Sequence, residues 1–133
     1  MDFVTFPAEA TSAAAARQMV RDALGSSEAG VREAAVLATS ELVTNVVRHA
    51  NTEVRVSIDA GPPIRVEVHD GVAATDAFRA MIHSRPASAD TRADGGRGLS
   101  LVHDLASRIG LGDDPLGGKV VWFEIDTSQR LSR

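Results

Sequence analysis

The feature that most constrains this chain is the run from Val31 to Ala50, whose apolar side chains recur at helical spacing. At about 100° per residue, Val31, Ala35, Ala38, Leu42 and Val46 share one face, and Val36, Val43 and Val47 lie roughly a third of a turn round from it. So wide an apolar arc predicts a largely buried helix, which other elements must cover. Its second half, Ser40 to Ala50, reads S-E-L-V-T-N-V-V-R-H-A. Glu41 and Asn45 stand one turn apart, stacked on the rim of the arc, where a buried helix borders a cavity. A carboxylate beside a carboxamide there is a candidate active-site pair. The same spacing also suits a solvated helix flank, and by itself it does not separate the two. His49 falls on the buried face and is expected to be packed.

A buried helix needs covering layers, and the chain has the material for them. Its 133 residues are 44% hydrophobic and 24% charged, the proportions of an ordinary globular protein. One domain spanning 1–133 is expected. The formal net charge of −4 offers no basic field to a polyanion, so nucleic acid is not an expected partner and any phosphate is bound locally. The lack of cysteine excludes disulfide and thiolate chemistry and leaves metal ligation to oxygen and imidazole. No run approaches the ~18 apolar residues of a spanning helix, and the N-terminus has no signal-peptide pattern. The expected setting is the cytoplasm, away from membranes.

Along the chain, Val4 to Phe6 before Pro7 reads as an edge strand, since proline cannot donate to a sheet ladder. Thr11 or Ser12 is placed to cap an alanine-rich helix that runs to about Leu24 and stops at Gly25. After the long helix, Val54, Val56 and Ile58 alternate with Arg55, Ser57 and Asp59, the pattern of a half-buried strand. Gly61-Pro62-Pro63 makes the turn. The returning strand puts Ile64, Val66 and Val68 on one face and Arg65, Glu67 and His69 on the other, so Asp70 is delivered to the apolar side. Gly71 ends the strand with backbone close to whatever Asp70 contacts; an ordinary Asp-Gly turn accounts for the pair equally well.

From Val72 to Asp94 periodicity fades apart from a short helix around Ala77 to His83, and a connection this long in a small domain is expected to be a mobile lid. Gly95-Gly96-Arg97-Gly98 then opens a helix through Leu99, Leu101, Val102 and Leu105. Such a turn gathers free N–H groups at the positive end of the helix dipole, which favours an anion such as phosphate; a plain flexible loop is the other reading. Lys119 to Asp126 is a strong last strand, central in the sheet, with Val121, Phe123 and Ile125 on one side.

Taken in order, the helical E-x-x-x-N, the strand-end Asp-Gly, the long loop, the G-G-R-G helix opening and the last strand G-G-K-V-V-W-F-E-I resemble the ATP-binding domain of gyrase, the ninety-kilodalton heat-shock chaperones, histidine kinases and MutL, the Bergerat fold. S-E-L-V-T-N-V-V-R-H-A is similar to its N box and G-R-G-L-S-L-V to its second glycine box. The small stand-alone branch, with the bacterial anti-sigma-factor serine kinases, shares the shortened Asp70-Gly71-Val72, where the larger family reads D-x-G-x-G. The resemblance implies a two-layer α/β sandwich, a mixed, mostly antiparallel sheet with helices on one face.

It implies ATP and Mg²⁺ as cofactors, with Asn45 as the Mg²⁺ ligand, Glu41 as the catalytic general base or water-orienting acid, Asp70 and Gly71 at adenine, and Gly96, Arg97, Gly98 and Leu99 at the phosphates. It implies a serine/threonine protein kinase that controls a sigma factor by partner switching with an anti-sigma antagonist, and it leaves open a homodimer. The alternative within the same resemblance is a nucleotide-dependent binding module with little turnover. No second helical-hairpin domain with an acceptor histidine is read in these residues, so a complete sensor histidine kinase is not expected. His69 and His83 are expected at the surface, and His103 without partners.

Overall fold

The computed structural model describes residues 3–84 and 96–127. Strand β1 (Val4–Phe6) leads to helix α1 (Thr11–Ala23), then α2 (Ala29–Asn45), whose last turn continues as a π-helical segment, Val46–Ala50. A hairpin of β2 (Val54–Asp59) and β3 (Ile64–Asp70) follows, then α3 (Asp76–His83), α4 (Gly96–Leu105), β4 (Arg108–Asp113) and β5 (Lys119–Ile125). The five strands lie in the order β1-β2-β3-β5-β4. Every described pairing is antiparallel, so the expected sandwich forms with no parallel component in its sheet.

The alternation read from the sequence becomes the core. Val54 and Val56 of β2, Ile64, Val66 and Val68 of β3, and Val121, Phe123 and Ile125 of β5 are buried on the face that meets the helices. Ala16 and Val20 of α1, Ala35, Ala38 and Leu42 of α2, and Leu99 and Val102 of α4 close over them. Small alanine side chains let α1 approach α2 closely, which burial of apolar area then rewards. At the start of α2, Glu28 Oε1 accepts a hydrogen bond from the Val31 N–H at 3.0 Å, satisfying one of the helix's free donors. The expected cap at Thr11 or Ser12 does not form: the residue before α1 is Ala10, and the Ser12 hydroxyl instead donates to the Pro7 carbonyl at 2.6 Å.

The opposite face of the sheet carries charge. Arg65 lies over the Trp122 ring at 4.3 Å and donates to Glu67 and Glu124, each at 3.0 Å. Arg108 holds Glu124 at 2.8 Å and also pairs with Asp126. His69, expected at the surface, is only 8% exposed: its Nδ1 meets Asp114 at 2.9 Å, its Nε2 meets Glu67 at 3.2 Å, and Phe3 stands edge-on to its ring at 4.7 Å. Asp114 accepts further bonds from the Leu116 N–H at 2.9 Å and from Arg55. The Leu116 N–H, with His69 and Arg55 behind it, holds the Asp114 carboxyl below the usual carboxylate range against the opposing effect of burial. Arg108, then Arg65, does the same for Glu124.

Candidate functional site

A cavity of about 250 Å³ lies between α2, the end of β3, α3 and α4. Its walls are mostly apolar, with Leu42, Val46, Val68 and Leu99 among them; besides His49 and Thr75, polar side chains line it at two places. Asn45 stands at one and Asp70 with Lys119 at the other. That is the general form of a small-molecule pocket, apolar walls with a few directed polar groups.

Asp70 reaches the cavity for the reason its register suggested: it continues the inward row Ile64, Val66, Val68 and is 5% exposed. Its Oδ1 accepts the Val72 N–H at 2.8 Å, and its Oδ2 faces Lys119 Nζ at 2.8 Å. Gly71, next in the chain, donates its N–H to Thr52 Oγ1 at 3.0 Å, which fixes the strand end against the turn after α2. Gly118 lies against the Asp70 backbone with φ +95°, and a side chain there would collide with the Asp70 carbonyl. Only glycine satisfies both the angle and the space.

At the other place, α4 packs its first turn against α2. A Cβ added to Gly98 would stand 2.8 Å from Glu41 Oε1 and 3.8 Å from Asn45 Oδ1. Glycine at 98 therefore lets the α4 backbone reach the two polar side chains of the long helix, which brings residues distant in the sequence into one group. The Asn45 Nδ2 is buried with no hydrogen-bond partner among the described residues, an unsatisfied donor of the kind native interiors rarely keep without a use. Leu99 is fully buried beneath the site, where it anchors α4. Gly96 and Arg97 open α4.

The long helix changes phase at this point. Asn51 N–H bonds to the Val46 carbonyl at 2.7 Å, five residues back, so Val46–Ala50 forms a wider turn than an α-helix. Helical phase therefore fails after Asn45, and His49 is exposed at the cavity's edge instead of packed on the buried face. Asn51 ends the segment with φ 55°. Single π-type turns recur at functional sites, and here one begins directly after Asn45.

The expected lid is partly a built element. Between Val72 and Asp94, residues 76–83 form α3, capped by Thr75 Oγ1 on the Phe78 N–H at 3.1 Å, with Ile82 at 1% exposure in the core. His103, expected to be unpartnered, bonds through Nε2 to the Met81 carbonyl at 3.0 Å and ties α4 to α3. His83 is exposed, as expected. Residues 85–94, the rest of the expected lid, lie outside the described residues, as does Gly95.

Lys119 is the site residue that sequence reasoning passed over. It is 9% exposed, faces Asp70, donates to the Val72 carbonyl at 3.3 Å and lies 5.0 Å from the Phe78 ring centre. The signal was present: Lys119 shares the inward face of Val121, Phe123 and Ile125, and in the β3 to β5 ladder it pairs with Asp70.

Comparison with known proteins bears on this geometry. Residues 6–125 match the family described as histidine kinase-like ATPase domain. Among solved structures the chain is similar to the crystal structure of the RsbU and RsbW domains of Rv1364c from Mycobacterium tuberculosis, with a TM-score of 0.61 at 17% identity, over 95% of this chain and 32% of that one. This chain thus spans about a third of the length of that structure, and at this identity the likeness is one of fold. No curated protein matches.

Proposed function

Because the chain belongs to the histidine kinase-like ATPase domain family, we propose that the cavity binds Mg-ATP and that residues 1–133 act as one ATP-dependent serine/threonine protein kinase domain of the anti-sigma type. The observation that carries the reading is the close approach of Gly98 to Glu41 and Asn45, of which Asn45 lines a cavity that the Asp70 carboxylate also lines. The residues present fit the ligand. The apolar walls suit a flat base, and Asp70 supplies an acceptor for its amino group. The α4 N-terminus supplies free N–H groups at Gly96, Arg97, Gly98 and Leu99 for phosphate.

Asn45 suits magnesium, which takes few protein ligands and keeps its other positions for water and phosphate oxygen. Among the described residues no group of three His, Asp or Glu is placed to hold a metal, so a metal here depends on the nucleotide for most of its ligands. Mg-ATP supplies the transferable phosphoryl group and the charge that stabilises its transfer. The chain's own contribution is position and proton handling. Asn45 and α4 orient, the apolar walls exclude water, and the Glu41 carboxylate, one turn from Asn45, accepts the proton of the incoming hydroxyl.

The partners in this reading are proteins, a sigma factor and its anti-sigma antagonist, met in the cytoplasm. No helix among the described residues is long and apolar enough to cross a membrane. The test is Glu41→Ala, assayed for phosphate transfer to antagonist-domain proteins and for nucleotide affinity. A general base acts on the attacking group, so transfer should fall by about a hundredfold or more while affinity stays. Unchanged transfer would make Glu41 structural and favour a nucleotide-dependent binding module.

A further inference from the structure

Lys119 is a buried ammonium that the reading above leaves without a task. A buried ion pair is weak evidence of a stabilising role, because apolar residues of similar volume often serve as well. Its place on the cavity wall points elsewhere. Of its three N–H bonds, one is directed at Asp70 Oδ2 at 2.8 Å and one at the Val72 carbonyl at 3.3 Å, which leaves one donor. Asp70 has four acceptor positions, of which the Val72 N–H and Lys119 each take one, so acceptor capacity also remains. One donor and one acceptor thus stand side by side at the same wall, held by the strand pairing of Asp70 with Lys119.

We propose that Lys119 is a specificity-determining residue that, together with Asp70, reads the Watson–Crick edge of the base and selects adenine. The inference rests on the nucleotide reading given above and adds the second contact. Adenine carries an amino donor beside a ring-nitrogen acceptor, which match Asp70 and Lys119 respectively. Guanine in the same pose turns a carbonyl oxygen toward the carboxylate and a ring N–H toward the ammonium, so both contacts fail. A lone carboxylate accepts equally from an amino group or a ring N–H. The fixed lysine beside it is what makes the pair directional.

The test is calorimetric binding of ATP, GTP and 1-deaza-ATP, in which C–H replaces the ring-nitrogen acceptor, to the wild type, Lys119→Met and Lys119→Gln. The wild type should lose on the order of tenfold in affinity from ATP to 1-deaza-ATP, the size of a hydrogen bond from a charged donor. Lys119→Met should bind the two within about twofold and show a narrower gap between ATP and GTP, whereas Lys119→Gln, which keeps a donor, should retain part of the 1-deaza penalty. Equal wild-type affinity for ATP and 1-deaza-ATP, a comparison that needs no variant to fold, would overturn the proposal. So would a penalty that persists undiminished in Lys119→Met. A wild type that binds no adenine nucleotide at all would instead overturn the nucleotide reading beneath it.

Discussion

Asp70 and Asp114 are buried to a similar degree, 5% and 7% exposed, and each lies against a cation, yet the two regions around them differ in what they leave open. Asp114 is closed in: Leu116 N–H, His69 and Arg55 occupy its oxygens on the charged face of the sheet. Asp70 is held by Val72 N–H and Lys119 on the helix-covered face, and it borders a cavity. A buried charge is thus not a functional signal by itself. What marks a site is a fixed polar group with unspent bonding capacity beside an apolar void. The Asp114 cluster ties the turn between β4 and β5 to β2 and β3, whereas the Asp70 pair lines a cavity.

The sharpest way to break this comparison is to remove Asp114. Asp114→Ala leaves His69 and Arg55 without their shared acceptor, and loss of one partner from a buried network destabilises by about 3–5 kcal/mol. Arg55 is 27% exposed and can turn to water, so about 2–3 kcal/mol is expected, read by chemical denaturation. Nucleotide affinity should remain that of the wild type. A variant that folds normally but loses nucleotide affinity would show the two regions are not separate.

A smaller effect concerns pH. Asp114 and Glu124 are held below the ordinary carboxylate range, so the folded state binds protons less readily there than the unfolded chain. Their contribution is complete above the unfolded values near pH 4 and is lost as pH falls through the lowered folded values. Thermal melting from pH 7 down to 3 should show falling stability in the wild type and a flatter decline in Asp114→Asn. An equally steep decline in that variant would remove Asp114 from the account.

The same contrast explains what the sequence could disclose. Strand alternation is a one-dimensional signal, so Ile64, Val66, Val68 and the inward Asp70 were legible, as was the α2 arc as far as Asn45. Lys119 was legible by the same rule, because it continues the inward row of β5. His69 was not: its burial depends on Asp114, 45 residues away, and on Phe3 from the N-terminus. His49 was misplaced because a single π turn after Asn45 shifts helical phase, and no composition or period announces it. The meeting of Gly98 with Glu41 and Asn45 depends on how α4 docks on α2, which only the fold supplies.

The central claim, that the cavity bounded by Asn45 and Asp70 is the nucleotide site, is tested most directly by calorimetric titration of Mg-ATP into the wild type, Asn45→Ala and Asp70→Ala, each first shown to melt cooperatively. Saturable binding by the wild type and loss of the binding heat in both variants is the result predicted here; wild-type affinity in both folded variants, or no binding by the wild type, would contradict it.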